Sequence, residues 1–115
     1  MNKILVVDDE DLVVEEFVEF FVRKGLDVTA ASNGIEALNL INNYDFTTII
    51  TDLRMPGMNG FDLIKKIRND LKLETMIIVC TGYCSSVDTG VLNNLKVEEI
   101  LKKPISLNQL LTLLP

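Results

Sequence analysis

Short aliphatic, β-branched runs alternate along this chain with segments of helical period, and that alternation limits the folds open to it. The runs are Ile4-Leu5-Val6-Val7, Leu26 to Ala30, Thr48-Ile49-Ile50-Thr51, Met76-Ile77-Ile78-Val79-Cys80 and Ile100-Leu101. Most are continuously apolar rather than alternating, the pattern of strands covered on both faces in a parallel sheet. Between the first two, Val14, Phe17, Val18, Phe21 and Val22 form a helical stripe, closed by Arg23, Lys24 and a stop at Gly25. Asn33 with Glu36 reads as a capping box ahead of Ala37, Leu38 and Ile41. Asn59 or Gly60 opens a third helix with Phe61, Ile64, Ile67 and Leu71 on one face. Ser85 or Ser86 starts a fourth carrying Val87, Val91 and Leu92, and Ser106 with Gln109 caps a last one before Leu110, Leu111 and Leu114. Strand and helix thus alternate five times. Right-handed crossovers then favour an α/β, doubly wound sheet with helices on both faces.

Length and composition agree with one such unit. A chain of 115 residues, read as a single domain over residues 1–115, buries roughly two thirds of its unfolded surface. Aromatics make up only 6% of it, so the core must be aliphatic. The chain stops about ten residues after the last helix start, so that helix is expected to be short and open to truncation. A net charge of −6 disfavours nucleic-acid binding by this segment. The absence of histidine removes His-based zinc sites, Ser-His-Asp triads and histidine bases. Cys80 and Cys84 match neither a zinc ribbon nor a disulfide framework and read as reduced thiols. Met1-Asn2-Lys3 and four apolar residues are too short for a signal peptide, and no run is long enough to span a membrane. A soluble, cytoplasmic protein is expected.

In doubly wound sheets, ligands bind beyond the carboxyl ends of the strands. The first run is followed by Asp8, Asp9, Glu10 and Asp11, the third by Asp52, the fourth by Thr81, and the fifth by Lys102, Lys103 and Pro104. An acid after a strand is often a helix N-cap, and Glu10 or Asp11 is expected to serve the first helix in that way. That accounts for one acid, not for the run together with Asp52. Clustered carboxylates repel unless a cation joins them, and Mg²⁺ prefers a few carboxylates plus water and phosphate oxygens. Asp8, Asp9 and Asp52 bring three negative charges; Mg²⁺ and one lysine bring three positive ones. The arrangement suits attack by a carboxylate on an activated phosphoryl group, with Lys103 offsetting charge and Thr81 donating a hydrogen bond.

Asp8-Asp9-Glu10, the run Thr51-Asp52-Leu53-Arg54-Met55-Pro56-Gly57-Met58-Asn59-Gly60, Thr81-Gly82 and Leu101-Lys102-Lys103-Pro104 together resemble the receiver domain of bacterial two-component response regulators. Asn33 to Leu38 is similar to the start of that family's second helix. The resemblance covers the whole chain. It implies a five-stranded parallel sheet of flavodoxin-like order 2-1-3-4-5, with Asp52 accepting phosphate from a sensor histidine kinase or phosphotransfer protein. It implies Mg²⁺ (or Mn²⁺) held by Asp9 and Asp52 directly, by Asp8 through water and by the backbone carbonyl of Arg54. Thr81 and Lys103 would hold the phosphoryl group, Lys102 would face solvent, and the Lys103–Pro104 bond would be cis. The fourth and fifth helices would form the dimer or effector face, the effector being an unseen C-terminal domain or a separate target. Direct binding of nucleic acid or membrane is not implied.

The chain also departs from the family pattern. Ile100 stands where the family usually has Tyr or Phe, whose ring swings inward as the hydroxyl residue moves toward phosphate; plain core packing is the simpler expectation for Ile100. Tyr83 reads as a surface aromatic near the site, and Lys96 stands where the family often has glycine. Two other readings remain. Asp9-Glu10-Asp11-Leu12-Val13 is similar to the nucleophile motif of haloacid-dehalogenase-type phosphatases, but leaves Asp52 and the Met-Pro-Gly turn unexplained. A degenerate receiver, keeping the fold without phosphorylation, is supported by Ile100 alone. A dinucleotide-binding domain lacks its Gly-x-Gly-x-x-Gly.

Overall fold

A computed structural model describes residues 3–115, with Met1 and Asn2 of the N-terminal reading lying outside the described residues. The elements follow the expected alternation: β1 (Lys3–Val7), α1 (Asp11–Arg23), β2 (Asp27–Ala31), α2 (Gly34–Asn43), β3 (Thr48–Thr51), α3 (Gly60–Lys65), β4 (Met76–Thr81), α4 (Ser86–Asn94), β5 (Glu99–Lys102) and α5 (Leu107–Leu113). The sheet is parallel throughout, in the order β2-β1-β3-β4-β5.

The apolar runs explain this sheet directly. Side chains alternate across a strand, so a strand apolar at every position must be covered twice. Leu5 and Val7 of β1 pack with Ala37, Ile41, Leu63, Ile64 and Leu92, beneath α2, α3 and α4. Ile4 and Val6 pack instead with Phe17, Phe21 and Leu110, beneath α1 and α5. The same split divides β4, with Ile77 and Val79 on the first side and Ile78 and Cys80 on the second. Both faces are therefore dry.

Caps fix where the helices begin. Asn33, Asn59 and Ser106 accept from the N–H groups of Glu36, Asp62 and Gln109, while Ser85 and Asp88 close a reciprocal capping box on α4. At the other end of α1, Gly25 takes φ +79°, the left-handed conformation that stops the helix. The first helix corrects one expectation: Glu10 holds the N-cap position but makes no side-chain cap bond, and Asp11 lies inside the first turn. The buried face of α1 is also rotated from the expected stripe. Val13 and Phe20 join Phe17 and Phe21, whereas Val22 is 57% exposed. On α4, Val87 is 74% exposed and only Leu92 is buried.

One structural device had no sequence signal. Beyond α3 the helix widens into a π-helical turn, Lys66–Asp70. From it, the mostly buried Arg68 guanidinium donates to the carbonyls of Leu73, Thr75, Leu95 and Lys96 and to Glu98 Oε1. Lys72 and Lys96, beside these acceptors, take left-handed φ values of 57° and 59°, at a cost of roughly 1 kcal/mol or more each. Charge-assisted bonds from one guanidinium outweigh that strain. Arg68→Ala should lower unfolding free energy by about 3 kcal/mol, with Arg68→Lys recovering little, since an ammonium cannot span the fork. Urea midpoints check this; a loss below about 1 kcal/mol would contradict it.

Candidate functional site

The sheet register places the site. Val7 of β1 pairs with Thr51 of β3, so the next residues, Asp8 and Asp52, leave adjacent strands at the same level. Backbone bonds continue past the strand ends: Asp8 N–H to Ala31 O at 3.2 Å, Asp52 N–H to Val7 O at 3.1 Å, and Lys103 N–H to Thr81 O at 2.8 Å. Residues far apart in sequence are thereby locked at one edge by the main chain. This edge holds the topological switch point between β1 and β3, where such sheets take their ligands.

At its centre the Lys103 ammonium bridges Asp8 Oδ2 at 2.9 Å and Asp52 Oδ2 at 3.0 Å, with Glu10 Oε1 at 3.6 Å. Asp8 and Asp52 are buried, at 4% and 6% exposure, so neither is a solvated surface acid. The two oxygens of Asp52 differ in environment. Oδ1 accepts from the N–H of Leu53 at 2.6 Å and, more weakly, that of Arg54 at 3.4 Å, while Oδ2 faces Lys103. Burial pulls the Lys103 ammonium down, but its hydrogen bonds to Asp8 and Asp52 and their charges more than offset this and hold it above the ordinary lysine value. Burial pushes the neighbouring Cys80 thiol up to about 12. Both cysteines are free thiols, as expected.

The other site residues fall around this centre. Thr81 is the last residue of β4, buried, with its hydroxyl donating to Tyr83 O at 3.1 Å rather than to a carboxylate. It lines a cleft of about 440 Å³ with Gly82, Tyr83, Cys84, Thr89 and Ile100. Ile100 is partly buried against the core, and Tyr83 is 64% exposed. Lys102 is exposed and Lys103–Pro104 is cis. Carboxylate oxygens of Asp8, Glu10 and Asp52 lie within 4.8 Å of one another, a hard-oxygen donor set of the kind a divalent cation takes. The sequence reading named Asp9 where this cluster has Glu10. Asp9 is exposed and lines a separate cleft with Asn33, Ile35, Pro56 and Met58. Glu10 carried a signal, as the third acid of the run, that was spent on the helix cap. Arg54, whose carbonyl was named, turns its guanidinium to Asp88 Oδ2 at 2.9 Å.

Gly60, which opens α3, also packs against the loop that carries Asp52. A Cβ there would lie 2.1 Å from Asp52 O and 2.8 Å from Leu53 Cα, backbone atoms with no room to give.

A parallel sheet in this order, with acids after β1 and β3 and a lysine after β5, defines a flavodoxin-like α/β domain built to manage charge at its switch point. Comparison with known families makes this specific. The family described as response regulator receiver domain matches residues 4–115, and the chain belongs to it. It is a receiver domain of two-component signalling. The response regulator SaeR of Staphylococcus aureus is 33% identical over 110 residues, 96% of this chain and 47% of SaeR, so the chain spans about half the length of the curated relatives it matches. A CheY-like receiver domain protein from Methanospirillum hungatei superposes with a TM-score of 0.92 at 27% identity, covering 97% of this chain and 89% of that one. The response regulator TrrA of Thermotoga maritima, solved in complex with Mg(2+)-BeF, gives 0.83 at 31% identity, covering 97% and 95%. Among the described residues, no helix is long and apolar enough to cross a membrane.

Two outcomes are expected from this geometry. Gly60→Ala should cost at least about 2 kcal/mol, because the acceptor loop must shift; an unchanged urea midpoint would show the approach is not tight. A cation held above its unfolded value, here 10.5, stabilises fully below that value and loses its contribution as pH rises past it. The stability of wild type over Lys103→Met should therefore be flat from pH 7 to about 10 and shrink beyond. A difference that already shrinks between pH 7 and 9 would contradict the bridge.

Proposed function

We propose that Asp52 accepts a phosphoryl group from the phosphohistidine of a sensor histidine kinase or phosphotransfer protein, in a reaction dependent on Mg²⁺ or Mn²⁺, and that the modified domain changes conformation to control an output partner. The observation that carries this reading is the Lys103 bridge between two buried carboxylates at the ends of β1 and β3. A half-buried ammonium shared by two buried acids supplies one of the positive charges a dianionic phosphoryl group needs, and a divalent cation would supply the rest. Attack by an Asp52 oxygen forms a P–O bond while the P–N bond breaks, and its electron pair returns to the imidazole. Lys103 then follows the developing charge onto a phosphoryl oxygen, and Thr81 leaves the Tyr83 carbonyl to donate to another.

A divalent cation would supply further positive charge against the equatorial oxygens. Asp9 and Asp52 as direct ligands, Asp8 through water and the Arg54 carbonyl form the ligand set carried from the family resemblance. Glu10 adds a carboxylate that already neighbours Asp8 and Asp52. The domain would assist its own phosphorylation and dephosphorylation without being a metabolic enzyme. A homodimer through α4 and α5, a C-terminal effector and a cytoplasmic setting complete the reading, with the described fold acting as one domain.

Phosphorylation with acetyl phosphate and Mg²⁺, followed by peptide mapping, tests it. The adduct is expected on Asp52 and lost in Asp52→Asn, which should fold with little loss of stability. An adduct on Asp9 would overturn the assignment in favour of a phosphatase-like nucleophile. Lys103→Ala should slow acceptance about 100-fold, more than Thr81→Ala, since a full charge is removed. Undiminished acceptance in Lys103→Ala would contradict its role.

A further inference from the structure

Arg54 and Asp88 join the acceptor loop to α4. Arg54 lies two residues past Asp52, and its backbone N–H points at Asp52 Oδ1 from 3.4 Å. Its guanidinium carbon sits 5.6 Å from the Phe61 ring centroid, and Nη2 donates to Asp88 Oδ2 at 2.9 Å. That same oxygen accepts the Ser85 N–H at 3.1 Å, while Ser85 Oγ accepts the Asp88 N–H at 3.0 Å. Thr89 Oγ1 adds a bond to Ser85 O at 3.0 Å. The segment Gly82–Ser85 is thus strung between the end of β4 and a cap held from across the site. Within that segment lies the Tyr83 carbonyl that takes the Thr81 hydroxyl.

We propose that the Arg54–Asp88 ion pair positions the β4–α4 loop, and through it the Thr81 hydroxyl, so that it restrains entry into the phosphoryl-bound arrangement. The inference rests on the reading of Asp52 as acceptor. The pair belongs to the arrangement in which Thr81 is engaged with Tyr83 O, and turning the hydroxyl toward Asp52 must break that bond. Keeping the loop fixed therefore stabilises the unmodified arrangement. Arg54 and Asp88 act as positioning residues, since neither side chain touches the reacting atoms. The pair is partly exposed, with side-chain accessibilities of 56% and 20%, so salt screens it and its effect is a few-fold rather than all-or-none. Ile100 places no aromatic ring beside Thr81, which leaves this polar chain to link the acceptor loop with α4.

Arg54 is mostly exposed, so Arg54→Gln loses only surface contacts, and Asp88→Asn keeps a capping acceptor; both variants should fold. Titration with Mg²⁺ and beryllofluoride, followed by calorimetry, should show each single variant binding about threefold tighter than wild type. The double variant should bind no tighter than either single one. Raising salt to about 0.5 M should remove the difference. Amide exchange without any ligand gives an independent readout: the Ser85 and Asp88 N–H groups should exchange about threefold faster in Arg54→Gln. Unchanged or weaker binding, additive effects, or unaltered exchange in Arg54→Gln would overturn the inference while leaving Asp52 as acceptor. A wild-type protein that ignores Mg²⁺ and beryllofluoride would overturn both.

Discussion

The rest of the site depends on one ammonium shared between two carboxylates. At an effective dielectric of about 20, each contact near 3 Å attracts by roughly 5 kcal/mol before desolvation, and two carboxylate oxygens within 4.8 Å repel by roughly 3.5 kcal/mol or more. The two attractions offset that repulsion, so Lys103 stabilises Asp8 and Asp52 as a buried, charged pair. The arrangement is imposed by backbone: Asp52 is tied to β1 and Lys103 to β4 through main-chain bonds that side-chain changes leave intact. The fold thus brings together acids that would otherwise separate. The same bridge leaves the edge with more carboxylates than cations, a charge balance that a divalent cation would complete.

Much of this was legible in the sequence because it follows from periodicity and order. Continuous apolar runs gave strands covered on both faces, and the residue after each run gave Asp8, Asp52, Thr81 and Lys103 at one edge. Asn33, Asn59, Ser85 and Ser106 announced helix starts through local bonds a few residues long. Where the reading failed, the deciding contact was distant. The phase of α1 turned on which side chains met Leu110 and the sheet, leaving Val22 outside. Arg68 acts across the gap between α3 and the turn before β5, and nothing local marks a residue with five such acceptors. Glu10 stands where a helix cap is the local expectation, and no local signal marks Arg54 for a partner 34 residues away.

Rigidity is unevenly spread around the carboxyl edge and its opposite. At the amino end of the sheet, Arg68 binds the turns before β4 and β5 into one unit, so the foot of α4 is anchored. At the carboxyl end, the start of α4 is held by its own capping box and by a partly exposed ion pair to Arg54, on the loop that carries Asp52. Local opening of α4 is therefore easier at its start than at its foot. Ile100, packed against the core, lines the same cleft as Thr81 without adding a polar group to it.

The two thiols have a practical consequence. Cys80 is buried on β4 with its thiol pushed up to about 12, so almost none of it is thiolate at neutral pH. Cys84 sits half-buried at the mouth of the Thr81 cleft, its sulfur 3.5 Å from Thr89 Oγ1. Cys84 is therefore the native attachment point for a maleimide dye or spin label, located on the loop between β4 and α4. The surroundings of that loop can be followed spectroscopically without engineering a cysteine or deleting one.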